Sequence, residues 1–341
     1  MTRRRSSETP RDHAKGDMTA LRIHGGRIDL AATRYPEAPR PWIDLSTGVN
    51  PHSWAPPASF AVDPTALPSP AALSDLEAAA AAAFGTRAER VMALPGSEIG
   101  LRSLDALALP SPARFVAPSY GTHAEALTGA IPIARTAIDA IEDGTLLLAN
   151  PNNPDGHLDR PDRLRGIARR GAWLVVDEAF ADVVPDASIV PHVGPDDRVI
   201  VFRSFGKMYG LAGLRLGFMI APPERIAAMR RRLGSWPVSA HAIAYGLAAY
   251  RDTDWLVRAR RSIAARATRL DAMLARHGMA ATGDCPLFRL IIDTDATAMF
   301  ERLANAGILT RPFDYAPRWL RIGVPADDDA FDRLDRALAR G

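Results

Sequence analysis

The sequence predicts an α/β protein, with a larger domain built on a mostly parallel sheet and a smaller α+β domain after it. Three observations carry that expectation. Short apolar runs such as Leu146-Leu147-Leu148 and Trp173-Leu174-Val175-Val176 lack the polar alternation of a half-exposed strand, as expected for parallel strands covered on both faces. Helical patterns separate these runs, which is the order of an α/β fold. From about residue 222 the texture changes to long arginine-rich helical stretches, followed by only a few strand-like runs.

The elements follow in order. Residues 1–17 are polar and lack the apolar stretch of a secretory signal, so they read as a disordered tail. Residues 18–47 have little core of their own and are expected to pack on the smaller domain, which takes 236–341. The larger domain spans 48–235. Residues 71–84 form an alanine-rich helix, with Ser74 as cap, Glu77 three residues on, and Leu73, Leu76 and Phe84 as its apolar stripe. A strand at 91–94 leads into a helix at 97–109, and a strand at 114–117 into a helix from about Gly121. Next come a strand at 145–149, a helix at 161–170, and strands at 172–176, 198–202 and 214–220. Residues 239–276 read as nearly continuous helix. The smaller domain adds strands at 288–292 and 319–324 and helices at 296–306 and 327–340.

Composition excludes several classes of function. Forty-two basic residues stand against 39 acidic ones, a formal charge of +3, and the arginines are interspersed with carboxylates. That is not the basic face of a nucleic-acid binder. No apolar run approaches the roughly 18 residues needed to span a membrane. Cys285 is the only cysteine, which excludes intrachain disulfides and cysteine-based zinc sites, and no metal site is expected. A reducing cytoplasm is the simplest home for such a chain.

All but two of the basic side chains are arginine. Lys15 lies in the polar tail, which leaves Lys207 as the one lysine in the body of the chain. Arginine replaces lysine wherever only a charge or a long stem is needed. It cannot replace a primary amine that must lose a proton and attack a carbonyl. Lys207 sits in Phe202-Arg203-Ser204-Phe205-Gly206-Lys207, with Gly210-Leu211-Ala212-Gly213-Leu214-Arg215-Leu216-Gly217-Phe218 close behind. The bland alternative is an arginine bias that left one lysine beside a glycine-rich loop.

In open α/β sheets, ligands bind beyond the carboxyl ends of the strands, and four polar clusters fall at such ends. The turn Pro95-Gly96-Ser97-Glu98 offers free backbone N–H groups at a helix start, which suits a phosphate, although any capped helix offers as much. Asn150-Pro151-Asn152-Asn153-Pro154-Asp155-Gly156 holds more asparagine than a turn requires. Asp177-Glu178 closes an apolar strand with a carboxylate that needs a partner if buried. Ser204 is followed by Lys207 and then Arg215. One ligand accounts for all of them. Pyridoxal phosphate needs an amine for its aldehyde, an anion for its ring nitrogen and a donor for its ring oxygen. It also needs hydroxyl, amide and guanidinium groups for its phosphate, and an aromatic face for its ring. Lys207, Asp177, Asn153, the group Ser204, Arg215 and Gly96-Ser97, and Tyr120 fill these roles in turn.

The blocks at 150–156, 177–180 and 204–218, with their order and separations, resemble the signature blocks of fold-type I aminotransferase-like enzymes. The resemblance runs over nearly the whole chain from about residue 21. It implies a large domain with a seven-stranded, mostly parallel sheet, a homodimer, and pyridoxal phosphate as cofactor. It also implies Lys207 as the Schiff-base lysine, Asp177 as partner of the ring nitrogen, Asn153 on the ring oxygen and Tyr120 stacked on the ring. Ser97, Ser204 and Arg215 would hold the phosphate. Trp319-Leu320-Arg321-Ile322-Gly323 resembles the block whose arginine grips the substrate carboxylate in a bidentate fork.

Two further features bear on the reaction. Phe180 stands where many relatives carry a tyrosine, so a hydroxyl on the ring oxygen is missing. His24-Gly25-Gly26 with Ile43-Asp44-Leu45-Ser46-Thr47-Gly48-Val49-Asn50-Pro51 resembles the opening of the cobalamin-pathway branch, the threonine-phosphate decarboxylases. In that branch the histidine lies near the substrate phosphate, which suggests His24 for this role. Asn50 and Arg311 are further expected contacts for an amino acid phosphate. The alternative is an aminotransferase of the histidinol-phosphate type.

Overall fold

The computed structural model describes residues 21, 25–292 and 294–339. The expected tail at 1–17 lies outside the described residues, as does His24. The chain divides into two compact units. The larger takes residues 49–265 and 283–287; the smaller takes the described residues up to 48 together with 266–282 and 288–339.

The smaller unit opens with α1 (Ile28–Arg34) and β1 (Ile43–Asp44). The larger unit begins its regular structure with α2 (Pro70–Phe84). Its cap is Ser69, whose hydroxyl accepts from Ala72 N–H at 3.1 Å, and not Ser74, which lies inside the helix. Pro70 decides this, because a proline at the first helical position loses no hydrogen bond and already has a helical φ. Glu77, expected to complete the cap, is buried instead. Its carboxylate accepts from Ala93 N–H at 2.9 Å and pairs with Arg230 at 2.6 Å.

Seven strands make the central sheet: β2 (Val91–Leu94), β3 (Ala113–Val116), β4 (Ile131–Ile133), β5 (Thr145–Ala149), β6 (Trp173–Asp177), β7 (Val199–Ser204) and β8 (Gly217–Ile220). Their spatial order is β2-β8-β7-β6-β5-β3-β4. Only β8 runs against the rest, being antiparallel to both β2 and β7. Every residue of β5 and β6 is buried, which explains their lack of polar alternation. Helices α3 (Ser97–Arg102), α4 (Pro161–Arg169), α5 (Phe205–Met208), α6 (Pro223–Leu233), α7 (Ala240–Arg251) and α8 (Thr253–Arg276) complete the series.

Several expectations need correction. The helix expected at 97–109 is the six-residue α3 followed by a 3₁₀ turn over Leu104–Leu107. Leu101, Leu104 and Leu107 are all buried, and their three-residue spacing suits a 3₁₀ turn as well as an α-helix. From Gly121 there is a single 3₁₀ turn, Gly121–Ala124, and a short strand, β4, that the sequence reading lacked. The run 239–276 breaks at Asp252, whose carboxylate accepts from Trp255 N–H and from Trp54 Nε1. A helix start capped in this way replaces the continuous helix.

The expected boundary between residues 235 and 236 also moves, because 236–265 belong to the larger unit. The cause is apolar packing. Tyr250 of α7 lies edge-on to Phe84, Phe218 and Phe205, and Gly246 leaves no room for a side chain against Leu216 and Leu76.

The smaller unit continues with β9 (Ala281–Thr282), β10 (Phe288–Ile291), α9 (Ala296–Asn305), β11 (Ile308–Leu309), β12 (Arg311–Phe313), β13 (Ala316–Gly323) and α10 (Asp328–Leu338). Strands β12-β13-β10-β9 form an antiparallel sheet, and β1 pairs in parallel with β11. Leu21, Ala31, Tyr35 and Leu45 share a core with Phe300, Ile322 and Phe331.

Candidate active site

In the larger unit, the segments following β2, β3, β5, β6 and β7 converge on one cavity of about 160 Å³. Gly96, Ser97, Tyr120, Asn153, Asp177, Ser204, Lys207 and Arg215 all line it. Each group lies at or beyond the carboxyl end of its strand, as the topology requires.

The anion end of the cavity is built on close backbone approach. Gly96 follows β2 at φ +90°, and a Cβ placed there would stand 2.8 Å from a guanidinium nitrogen of Arg215. At the start of β8, a Cβ on Gly217 would strike the backbone N of Ser97. Arg215 itself is left-handed, at φ 54°, a strained conformation for a residue with a side chain. The turn, the arginine and Ser204 therefore face one small space. The expected contribution of a helix dipole is slight, since α3 is less than two turns long.

Lys207 lies in the short α5 directly after β7. Its ammonium nitrogen stands 5.5 Å from the centroid of the Phe180 ring. Its carbonyl accepts from Asn50 N–H at 2.9 Å. The Asn50 amide donates to Met208 O at 2.9 Å and accepts from His52 N–H at 3.0 Å. Asn50 was expected at the substrate end, but it is buried and its side chain holds the lysine turn. Below that turn Tyr209 stacks between Phe205 and Trp255, with ring centroids 4.4 and 5.4 Å away.

Asp177 ends β6 and is 5% exposed. One carboxylate oxygen accepts from Ala179 N–H at 3.1 Å, and the other meets His123 Nε2 at 3.1 Å. His123 is fully buried, and its Nδ1 meets the Ser119 hydroxyl at 2.5 Å. A carboxylate oxygen accepts, so Nε2 carries its hydrogen toward Asp177, while Nδ1 shares a hydrogen bond with the Ser119 hydroxyl. Sequence reasoning missed His123. The available signal was a histidine three residues after Tyr120, in the segment that leaves β3 two strands away from β6.

The neighbouring Glu178 faces away, as successive residues at a strand end do. It accepts from Arg203, Ser188 and Ile189 N–H, each at 2.7 Å. Arg203 also pairs with Asp182 at 2.8 Å. Burial pushes the Glu178 carboxyl up, against the pull of the Arg203 charge. Of the three asparagines after β5, Asn150 ties down Asp159 and Ala187, while Asn152 donates to Pro118 O and Asp155. Only Asn153 lines the cavity.

Tyr120 meets His123 edge-on, with centroids 6.0 Å apart. Burial, and then the charge of Glu98, pushes its phenol up to about 12. An ordinary phenol ionises near 10, so in the folded protein Tyr120 stays protonated across that range. Tyr120→Phe is therefore expected to leave the tyrosinate absorbance unchanged at about pH 10. A clear drop at that pH would show that the ring is solvated.

In the smaller unit, Arg311 on β12 and Arg321 on β13 are directly opposite in the antiparallel register. Arg321 is 6% exposed, donates to Ser46 O at 2.8 Å and lies over the Phe288 ring. Arg311 lies over the Phe313 ring. Like charges facing each other across a strand pair are unfavourable by themselves, and an anion between them reverses the sign.

The chain was compared with known proteins. Residues 63–339 match the family model described as aminotransferase class I and II. A threonine-phosphate decarboxylase from Sinorhizobium sp. is 41% identical, over 95% of this chain and 99% of its own length. A second, from Pseudomonas aeruginosa, is 37% identical over 92% of this chain and 96% of its own. Among solved structures, a histidinol-phosphate aminotransferase from Sinorhizobium meliloti, in complex with pyridoxal-5'-phosphate, superposes with a TM-score of 0.80. It covers 99% of this chain and 98% of its own, at 24% identity.

Proposed function

Because this chain belongs to the aminotransferase class I and II family, we propose that it is a pyridoxal-phosphate-dependent decarboxylase of threonine phosphate. The observation that carries this reading is the pair of threonine-phosphate decarboxylases, 41% and 37% identical over nearly the full length of each chain.

The residues present fit the cofactor. The Gly96 turn and Arg215 enclose a cradle that a single Cβ would fill, and the cavity beside it joins a primary amine, a buried carboxylate and a carboxamide. Lys207 supplies the amine for the cofactor aldehyde, and Asp177 the anion for the ring nitrogen. Asn153 takes the ring oxygen, Tyr120 the ring face, and Ser97, Ser204 and Arg215 the phosphate. Bound there, the cofactor supplies an electron sink for the pair released when a bond to the substrate Cα breaks.

The protein's own groups select which bond that is. Arg321 and Arg311 take the substrate's anionic ends, with His24 assigned to the phosphate. Asp177, held by Ala179 N–H and His123, would pair with the ring nitrogen and favour its protonated form. Lys207, once released from the cofactor by the incoming substrate amine, would hold the proton that replaces the departing carbon dioxide on Cα. The product is 1-amino-2-propanol phosphate, a precursor for cobalamin assembly. Phe180 brings no hydroxyl to the ring oxygen, which leaves Asn153 the larger share of that contact.

The same reading makes the protein a cytoplasmic homodimer; among the described residues no helix is long and apolar enough to cross a membrane. The test is direct. Purified protein with threonine phosphate is expected to release carbon dioxide with no 2-oxo acid present. Turnover of histidinol phosphate that depends on added 2-oxoglutarate, without carbon dioxide release from threonine phosphate, would assign it as an aminotransferase instead.

A further inference from the structure

We infer that the smaller unit carries a second anion site, distinct from the Lys207 cavity, that takes a small phosphate-rich ligand of the diphosphate type. The site is a cavity of about 660 Å³ between α9 and α10. Arg302 of α9, Arg333 and Arg336 of α10, and Pro39 border it. All of these residues belong to the smaller unit, whereas the residues lining the Lys207 cavity all belong to the larger one.

Three guanidinium groups thus share one concavity, and among the described residues no carboxylate lines it. Among the described residues none of the three forms an ion pair. Arg302 is the most telling. Its Nε is buried with no hydrogen-bond partner, a costly state for a charged donor. Arg333 is fixed in place. It donates to the carbonyls of Ala306 and Pro41, both at 2.7 Å, and to that of Pro39. Its guanidinium lies over Gly307, where any side chain would collide with it. Those partners are neutral dipoles, so the charge stays uncompensated. Burial and then the charge of Arg336 hold the Arg333 guanidinium below its usual value.

A simpler account exists for part of this. Arg302 and Arg336 stand in the last turns of α9 and α10, where a cation complements the helix dipole. That explains a positive charge at each helix end. It does not explain why both ends and a third arginine border one hollow without a carboxylate, nor why one donor is buried unmet.

Size and lining narrow the ligand. Pockets for small molecules run to about 300–1,000 Å³, so this one exceeds the need of a single ion. No aromatic ring lines it, so nothing is offered for stacking a base. Recognition falls to oxygens, and forked guanidinium donors match phosphate oxygens pairwise. Three cations ask for a ligand with several negative charges a few bonds apart.

The cofactor-loaded protein is titrated with inorganic pyrophosphate by calorimetry at low salt, alongside the double variant Arg302→Gln/Arg336→Gln. Arg333 is left alone because it holds the 39–41 segment. One pyrophosphate per chain is expected to bind this site in the wild type. At least about tenfold weaker binding is expected in the variant, for the loss of two charge-assisted contacts. An equal unfolding temperature of the two proteins without pyrophosphate shows that the variant is folded. Absence of binding to the wild type, or equal binding by the variant, would overturn the site. Citrate binding about tenfold tighter than pyrophosphate would overturn the phosphate assignment.

Discussion

Lys207→Ala is expected to abolish carbon dioxide release from threonine phosphate, by at least about 10⁴-fold, the upper range for one proton-transferring group. Lys207→Arg is expected to do no better. The guanidinium keeps the charge and the reach over Phe180, but it cannot become a neutral amine at any working pH. No other lysine in the described residues could substitute, because the only one outside position 207 is Lys15. Two measurements check this independently. Turnover reports the chemistry, and borohydride treatment of cofactor-saturated protein followed by mass spectrometry reports the attachment. An unmodified Lys207 peptide, or a variant retaining a hundredth of wild-type activity, would defeat the assignment.

Asp177→Asn is the second large effect. The change is isosteric, and the amide oxygen keeps the Ala179 N–H bond at the end of β6 while the charge is lost. Removing one partner of a buried ion pair costs about 3–5 kcal/mol, and at about 1.4 kcal/mol per decade that is a fall in kcat of about 10²–10⁴. The Asn side chain also brings a donor toward His123, which already points its Nε2 hydrogen at this site. The fall should therefore appear in kcat and in cofactor retention together, with the unfolding temperature of the cofactor-free protein little changed. An Asp177→Asn variant with near-normal kcat would mean that the carboxylate is structural.

The parallel strands were the most legible part of the sequence, because burial on both faces leaves a run of apolar residues that needs no context. β5, β6 and β7 fall within two residues of their expected positions. The short helices were the least legible. Leu101, Leu104 and Leu107 satisfy either helix type, and only the packing around them selects between the two. The extent of the larger unit was hidden because α7 and α8 read as one arginine-rich run, with no break at its edge. What separates the two helices is an aspartate cap at 252, and what ties α7 to the larger unit is aromatic packing on Phe84, Phe205 and Phe218.

The same division runs through the site. Groups that must contact a ligand had distinctive residue types at strand ends, and eight of them line one cavity. Groups that position those residues did not stand out. His123 looks like any buried histidine until β3 and β6 are known to share a sheet. Asn50 was read only as a ligand residue, and the bonds of its amide to Met208 O and His52 N–H, which hold the lysine turn, were not foreseen.

The bond from Ala93 N–H to Glu77 has a consequence for self-association. β2 is the outer strand on its side of the sheet, and an uncovered margin of that kind is a template for strands from other molecules. The outward N–H of Ala93 is occupied by a carboxylate, and that carboxylate is locked by Arg230, which also reaches the Val91 carbonyl. Growth of the sheet past β2 would first have to displace the Glu77 carboxylate from Ala93 N–H and from its pairing with Arg230, which disfavours joining of copies of this chain by β-augmentation there.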